Sequence, residues 1–195
     1  FDGPKGCYAA GAVTNKPLFQ FLAESILASQ RRYAQMTTPG AKGKSLVIPW
    51  YIMTSPLNHD ATVAFFQQHR YFGLEPSAVM FFQQGVMPSF DKTTGQMLLE
   101  SKSSLALSPD GHGGSIRALA ASGALADMQA RGIKHLSYTQ IDNPLVRVID
   151  PVFIGLHATA KNSSGQMSSK MVPKAAPEEK VGLLCSVGGS ATTLG

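Results

Sequence analysis

Ser108-Pro109-Asp110-Gly111-His112-Gly113-Gly114 lies between an apolar, leucine-rich run over 105–107 and a helical pattern. That pattern predicts a helix whose apolar face carries Ile116, Leu119, Ala120, Ala124 and Met128. Three glycines in four residues let the backbone approach a ligand closely, and the first N–H groups of a helix favour an acceptor-rich ligand. The dinucleotide-binding fingerprint does not fit, because Ile116 stands where its third glycine would be. The local pattern leaves two interpretations open, a ligand-binding loop and an ordinary glycine-rich turn.

Helical and strand patterns alternate on both sides of this loop. Before it, we expect helices over 18–35 and 58–71, strands over 45–53 and 79–82, a loop over 37–45 and a hairpin over 88–99. After it, we expect a strand over 135–141, a helix over 151–161, and a pair of strands over 166–172 and 181–187. Pro49 inside the first strand favours an edge or a bulge. This order of elements predicts an α/β sandwich with a mixed, mostly parallel sheet flanked by helices.

The composition is that of a globular protein with one core. The chain has 195 residues, of which 44% are hydrophobic and 15% are charged, and such values are typical of a folded domain. No apolar run is long enough to span a bilayer, so no membrane partner is expected, and no secretion signal is recognisable. Cys7 and Cys185 match no metal or redox spacing, so we expect two reduced thiols in a cytoplasmic protein.

The net charge of +5 comes from basic residues that are mostly scattered along the chain. No basic stripe is interleaved with aromatic residues, which disfavours a nucleic-acid partner. A phosphate-bearing small molecule and a merely solvated basic surface both fit this charge. No pattern in the sequence indicates an oligomeric state.

Three polar residues in turns or at predicted strand ends are candidates for ligand binding. Lys5, between a proline and a glycine, is either a phosphate-binding lysine or a solvated loop residue. Gln84 follows a predicted strand, and its amide both donates and accepts, so it fits a planar base edge as well as a polar turn. Asp142 follows another predicted strand and fits either a Mg²⁺ ligand beside a nucleotide or the start of a turn before Pro144.

Short motifs recur over nearly the whole chain in one order: Pro4-Lys5-Gly6, Leu18-Phe19-Gln20 with Ala23-Glu24, Ile48-Pro49-Trp50-Tyr51-Ile52-Met53-Thr54-Ser55, Tyr71-Phe72-Gly73-Leu74, Phe81-Phe82-Gln83-Gln84-Gly85, Pro109-Asp110-Gly111-His112-Gly113-Gly114, Arg117-Ala118-Leu119, Asp142-Asn143 and Val181-Gly182. Each motif alone is weakly specific. In their shared order and spacing they resemble the UDP-sugar pyrophosphorylase family, and most closely its eukaryotic-type UDP-N-acetylglucosamine branch.

The resemblance implies a Rossmann-like, GT-A-like nucleotidyltransferase fold, with residues 1–195 as the central part of a single catalytic domain. It implies the reaction UTP + sugar 1-phosphate ⇌ UDP-sugar + pyrophosphate, with Mg²⁺ as the cofactor. Within that reaction, Lys5 would contact the nucleotide phosphates and Asp142 would help to bind the metal.

The resemblance also implies residues that would recognise the two ends of the UDP-sugar. Gln84 and the backbone of Gly111 would read uracil, and Pro109 would pack near the ring. His112 and Gly182 would lie at the sugar side.

At position 112 the UDP-N-acetylglucosamine branch usually has Asn, whereas the UDP-glucose branch usually has His. We expect N-acetylglucosamine 1-phosphate as the substrate; glucose 1-phosphate, a broader range of sugars, or a non-catalytic uridine-nucleotide-binding module are the alternatives. The family's glycine-rich loop would lie upstream of Phe1, and its late sugar-phosphate residues beyond Gly195. We therefore expect this chain to be truncated at both ends and to be inactive alone.

Overall fold

The computed structural model describes residues 3–37, 46–187 and 190–194. The chain divides into two compact units, Phe1–Asp150 and Pro151–Gly195; its assignment to a single catalytic domain stays a prediction. The first unit contains α1 (Leu18–Thr37), β1 (Trp50–Thr54), α2 (His59–Gln68), β2 (Val79–Gln83), β3 (Val86–Pro88), β4 (Leu99–Ser101), β5 (Ser104–Leu105), β6 (Leu107–Pro109), α3 (Ser115–Ala121) and α4 (Ala124–Ala130). The second contains α5 (Pro151–Thr159), β7 (Leu183–Val187) and β8 (Ser190–Leu194).

The strands β1 and β2 form a parallel ladder, and α2 lies in the connection between them. Their register pairs Thr54 with Gln83 at the carboxyl ends. Because Pro49 has no N–H to donate to a ladder, β1 begins only at Trp50, and the predicted strand is confirmed from there onward. At the shared carboxyl edge, the Gln84 N–H donates to the Thr54 carbonyl at 2.8 Å.

The core is built around the completely buried ring of Phe66. Aromatic rings meet it edge-on, with centroids 4.9 to 5.5 Å away, from Phe19, Phe81, Phe72 and Trp50. A second buried cluster consists of Leu22, Ala23, Ile26, Leu74 and Val148. The apolar stripe of α1 contributes to both clusters. The helix predicted over 18–35 is thus confirmed.

The helix predicted over 58–71 is confirmed only as far as Gln68, where α2 ends. The chain then turns through Arg70–Gly73, with positive φ at Arg70, Tyr71 and Phe72. The rings of Tyr71 and Phe72 still pack against both core clusters. The apolar pattern continues past the end of the helix because this turn, too, faces the core.

The expected mostly parallel sheet is wrong for the described part of the chain. Its strands form four two-stranded ladders, of which only β1–β2 is parallel, while β3–β6, β4–β5 and β7–β8 are antiparallel. Within the hairpin predicted over 88–99, Phe90 bridges Met97, and the Gly95 N–H donates to the Asp91 carbonyl at 2.9 Å. The result is a mixed α/β fold with small sheets.

The single helix predicted after the glycine loop is broken into α3 and α4 around Gly123. Met128 is buried as expected, but Ile116 is 72% exposed and lies off the buried face. A hydrogen bond fastens α4 to β1, since Tyr51 Oη donates to Asp127 Oδ2 at 2.6 Å. Because the helix is broken at Gly123, α3 and α4 can present different faces to the core.

The strand predicted over 135–141 is wrong, because this segment pairs with no strand among the residues that the structure describes. It is held instead by side chains: Ile141 packs against both core clusters, and the Ser137 hydroxyl donates to the Val148 carbonyl. The alternating pattern of the sequence here belongs to an irregular segment that side chains hold in place.

In the second unit, α5 confirms the helix predicted over 151–161, and β7 confirms the strand predicted over 181–187. The strand predicted over 166–172 is wrong, and β7 pairs with β8 instead. Residues 166–172 contact α5 through side chains: His157 Nδ1 lies 2.9 Å from Ser168 Oγ, and Lys170 Nζ lies 5.0 Å from the Phe153 ring centroid.

The loop predicted over 37–45 lies outside the described residues from position 38 onward. In the part of the chain that is described, no helix combines the length and the apolar character needed to cross a membrane.

Candidate functional site

Lys5 and Asp142, the predicted phosphate and metal residues, form an ion pair. Lys5 Nζ donates to Asp142 Oδ2 at 2.9 Å. The side chains are 73% and 57% exposed, so solvent screens the pair and it adds little to stability. The hydrogen bond from Lys5 holds the pKa of Asp142 below its ordinary value. The carboxylate is therefore ionised at neutral pH and available to a cation.

Each partner of this ion pair has a nearby residue whose side chain packs against the core. Lys5 begins a short turn in which the Cys7 N–H donates to the Pro4 carbonyl at 2.8 Å. The Cys7 side chain packs against the aromatic cluster, and burial raises the pKa of its thiol to about 11. Ile141, directly before Asp142, packs against both core clusters. The core thus fixes where the two exposed charges meet.

The residues predicted to read uracil come from two neighbouring backbone segments. Pro109 ends β6, which pairs with β3, and the Asp110 N–H donates to the Gly85 carbonyl at 3.0 Å. Gln84 precedes the acceptor of this bond, and Gly111 follows its donor. Gly111 is exposed and has φ 72° and ψ −163°. The β3–β6 ladder therefore brings Gln84 and Gly111 onto neighbouring backbone segments.

The carboxyl group of Asp110 lies between two glycines of these segments. A Cβ atom at Gly85 or at Gly114 would lie less than 3.0 Å from this carboxyl group. Among the described residues, Asp110 Oδ1 is a buried side-chain atom without a hydrogen-bond partner. Both glycines are therefore needed for the close approach of the two loops.

His112 contacts two residues of the segment that leads to Asp142. Its Nδ1 lies 2.6 Å from Tyr138 Oη, and its Nε2 lies 2.8 Å from Gln140 Nε2. The backbone is fixed as well, since Ser115 Oγ donates to the His112 carbonyl at 2.6 Å. Partial desolvation of the Tyr138 hydroxyl raises its pKa above the ordinary value.

These contacts join six of the seven predicted site residues into one continuous region of the first unit. Gln84 and Pro109 meet Gly111 through the β3–β6 ladder, His112 follows Gly111, and Gln140 links His112 to the segment of Asp142 and so to Lys5. The seventh residue is Gly182, which belongs to the second compact unit. Its role stays a prediction from the sequence.

The described residues contain no cluster of three or more His, Cys, Asp or Glu side chains that could hold a metal ion. Mg²⁺ commonly binds one or two carboxylates and fills its remaining positions with water and substrate phosphate oxygens. Asp142 therefore fits a magnesium ion shared with a nucleotide, and the donor set does not fit a closed protein site.

Three residues of this region carry no recognisable local signal in the sequence. Tyr138 and Gln140 lie in what reads as a strand, and they meet His112 across 26 and 28 positions of the chain. Asp110 lies inside the glycine-rich loop, where it reads as an ordinary turn residue. Only the glycines that flank it indicate a close approach of backbone.

Comparison with known proteins shows which sequences and structures this chain resembles. The sequence profile of the family described as UTP–glucose-1-phosphate uridylyltransferase matches residues 29–195. The chain is 46% identical over 180 residues to UDP-N-acetylglucosamine diphosphorylase 2 of Arabidopsis thaliana, 92% of this chain and 35% of that protein. It is 40% identical over 183 residues to UDP-N-acetylglucosamine pyrophosphorylase of Saccharomyces cerevisiae, 94% of this chain and 36% of that protein.

Solved structures with the same fold are also found. The crystal structure of a putative UDP-N-acetylglucosamine pyrophosphorylase from Entamoeba histolytica matches 100% of this chain and 46% of that chain, with a TM-score of 0.83 and 29% identity. The enzyme from Trypanosoma brucei, in complex with an inhibitor, matches 100% of this chain and 38% of that chain, with a TM-score of 0.82 and 31% identity.

The chain spans a little over a third of the length of the curated relatives named above. Over that span, the profile match, the sequence identities and the fold agree with the resemblance carried by the motifs. This chain belongs to the UTP–glucose-1-phosphate uridylyltransferase family.

Proposed function

We propose that the protein acts as a uridylyltransferase, which converts UTP and N-acetylglucosamine 1-phosphate into UDP-N-acetylglucosamine and pyrophosphate. The observation that carries the proposal is the contact path from the Gln84 and Gly111 loops through His112 to the Lys5–Asp142 pair. The names of the relatives, UDP-N-acetylglucosamine diphosphorylase and pyrophosphorylase, support the choice of substrates.

In this proposal the uracil ring lies against the two neighbouring loops at the β3–β6 ladder. The edge of uracil carries both a donor and acceptors, which a glutamine amide and a backbone N–H can match. Gln84 supplies the amide and Gly111 the backbone group, while Pro109 packs near the ring.

The phosphates lie at the other end of the path, where Lys5 and Asp142 meet. Lys5 is a compact positive charge that can neutralise charge on the phosphate under attack. Asp142 would hold Mg²⁺ together with the nucleotide phosphates, and a bound ion would supply positive charge that neutralises them. Before substrate binds, the ion pair keeps the Lys5 ammonium directed to this point.

The reaction is a single displacement at the α-phosphorus of UTP. A phosphate oxygen of the sugar 1-phosphate forms the new P–O bond, the bond from the α-phosphorus to the bridging oxygen breaks, and pyrophosphate leaves. Such a displacement needs positioning and charge neutralisation, without a covalent enzyme intermediate.

His112 and Gly182 lie at the sugar side in this proposal. His112 is the residue usual in the UDP-glucose branch, and the family description names glucose 1-phosphate. These two observations favour a second candidate function, a UDP-glucose or broader UDP-sugar pyrophosphorylase.

Two finer points belong to the same proposal. The mixed α/β fold of the described residues is the central part of a Rossmann-like, GT-A-like domain. The protein works in the cytoplasm, in keeping with two free cysteines.

Pyrophosphate release by the protein in its complete natural form, with UTP, Mg²⁺ and each sugar 1-phosphate in turn, tests the proposal. We expect turnover with N-acetylglucosamine 1-phosphate at a higher kcat/KM than with glucose 1-phosphate. The reverse order would favour the second candidate. No turnover with any sugar, together with binding of UTP in calorimetry, would indicate a non-catalytic nucleotide-binding module.

A further inference from the structure

The imidazole of His112 is held from both sides by side chains that come from one short segment. Tyr138 Oη lies 2.6 Å from Nδ1, and Gln140 Nε2 lies 2.8 Å from Nε2. The Tyr138 ring meets the imidazole edge-on, at an interplanar angle of 87° and a centroid distance of 6.0 Å. Both ring nitrogens of His112 are thereby occupied by protein groups.

The donors and acceptors of this arrangement are compatible with one tautomer of neutral histidine. The Gln140 amide nitrogen can only donate, so Nε2 of His112 must accept and carry no proton. The ring proton then lies on Nδ1 and is donated to Tyr138 Oη. The imidazole is thus fixed both in orientation and in the position of its proton.

This cluster contributes little to the core. His112 and Gln140 are exposed, and Tyr138 is 62% exposed. Hydrogen bonds between exposed side chains add little to stability, because water can replace either partner. Gln140 is also only two residues from Asp142. The three side chains therefore lie on the open surface of the candidate site, where they can act on a bound ligand.

We propose that Tyr138 and Gln140 are positioning residues, which hold His112 as its Nδ1-protonated tautomer and thereby set the selectivity for the group at C2 of the sugar 1-phosphate. This inference rests on the proposed function, in which His112 lies at the sugar side. An imidazole whose two nitrogens are occupied presents ring carbons and a ring face to the sugar. Such a surface suits the methyl group of a 2-acetamido substituent, and it offers no hydrogen bond to a 2-hydroxyl group.

The first test reads the tautomer directly. In the protein labelled with ¹⁵N-histidine, the His112 signals, assigned by their loss in His112→Asn, should show a protonated Nδ1 and an unprotonated Nε2. In Gln140→Leu the two nitrogens should move toward the averaged shifts of a free imidazole. In Gln140→Glu, which offers an acceptor to Nε2, the proton should move to Nε2 at alkaline pH. A protonated Nε2 in the unaltered protein would overturn the proposal.

The second test measures selectivity in the same proteins. Tyr138→Phe and Gln140→Leu should each raise the KM for N-acetylglucosamine 1-phosphate about fivefold and change kcat much less, since one ordinary hydrogen bond is worth about that factor. The kcat/KM ratio of the acetamido sugar to glucose 1-phosphate should fall by a similar factor. Tyr33→Phe on α1 and Gln129→Leu on α4 are the matched controls and should leave the ratio unchanged.

The outcomes separate this inference from the proposed function. Normal turnover with an unchanged sugar ratio in both variants would overturn the inference and leave the proposed function standing. No pyrophosphate release from the unaltered protein with any sugar 1-phosphate would overturn the proposed function, and the selectivity role with it, whatever tautomer the spectra show.

Discussion

Lys5 Nζ lies 2.9 Å from Asp142 Oδ2, although 137 positions of the chain separate the two residues. Neither side chain is needed for packing, since both are more than half exposed. What fixes the contact is a half-buried residue near each partner, Cys7 two positions after Lys5 and Ile141 directly before Asp142, each of which packs against the core. The fold thus brings a cation and an anion together at the surface, where the proposed function needs one group for a phosphate and one for a metal ion.

Asp142→Asn tests the metal role of this carboxylate. The amide is neutral and a poorer ligand for Mg²⁺, so we expect kcat for pyrophosphate release to fall about 100-fold or more, while thermal unfolding stays unchanged. A Mg²⁺ titration of the rate is the measurement, and Glu100→Gln, an exposed carboxylate in β4, is the control. An unaltered Mg²⁺ dependence in Asp142→Asn would rule out the ligand role.

His112→Asn tests which sugar the site prefers. The change removes the ring held by Tyr138 and Gln140 and introduces the residue usual in the UDP-N-acetylglucosamine branch. We expect the kcat/KM ratio of N-acetylglucosamine 1-phosphate to glucose 1-phosphate to change about tenfold, a difference of about 1.4 kcal/mol in transition-state binding. His69→Asn, at an exposed histidine after α2, should leave the ratio as it is. If His112→Asn also leaves it unaltered, selectivity lies elsewhere.

Cys7 gives a pH dependence that can be measured without substrate. Its thiol has a pKa of about 11 in the folded chain, against an ordinary value of 9.0, because burial disfavours the thiolate. As the pH rises, the unfolded chain loses this proton first, so the stabilisation is complete below pH 9 and is lost as the pH approaches 11. In a Cys185→Ser background, alkylation of Cys7 by iodoacetamide should therefore have its midpoint near pH 11 when folded and near pH 9 in urea.

The control for this experiment is Cys7→Ser in the same background, which should abolish alkylation. It should also lessen the loss of stability between pH 9 and 11. A midpoint near pH 9 in the folded protein would show that the thiol is not desolvated.

Phe66 is the side chain on which the aromatic core depends most. It is completely buried and meets four other aromatic rings within 5.5 Å between centroids. Phe66→Ala should lower the free energy of unfolding by about 3–5 kcal/mol, through lost burial and the cavity left behind. Phe90→Ala, at a ring that is 59% exposed, should change it by about 0.5 kcal/mol or less. Urea titration measures both, and equal losses would contradict the central place of Phe66.

The parts of the fold that follow local periodicity could be predicted from the sequence. The stripe of α1 and the half-buried strands β1 and β2 are such parts, and Pro49 indicated the irregularity before β1. Residues 135–141 alternate like a strand but pair with no strand in the described part of the chain, and whether a partner exists depends on distant residues. For the same reason the pairing of β7 with β8 could not be read from the residues of β7 alone.

The candidate site divides in the same way. The glycine-rich loop and Lys5 carry local patterns, so they could be singled out and matched to a family. Tyr138 and Gln140 are ordinary residues of an irregular segment, and only the folded chain brings them to His112. The close contacts of the Asp110 carboxyl group could not be predicted from the sequence. Gly85 precedes β3 and Gly114 follows β6, so only the folded chain brings both glycines to this group.

Gly114 gives the most direct test of how that loop is built. A Cβ at this position would lie less than 3.0 Å from the Asp110 carboxyl group, whereas a Cβ at Gly113 would meet nothing within 4 Å. Gly114→Ala should therefore lower the free energy of unfolding by about 1–3 kcal/mol, and Gly113→Ala by much less. Asp110→Ala removes the group that clashes, so in a double-mutant cycle it should recover about 1 kcal/mol or more of the loss. Equal effects at the two glycines, or strictly additive losses in the cycle, would show that the carboxyl group does not occupy this space in solution.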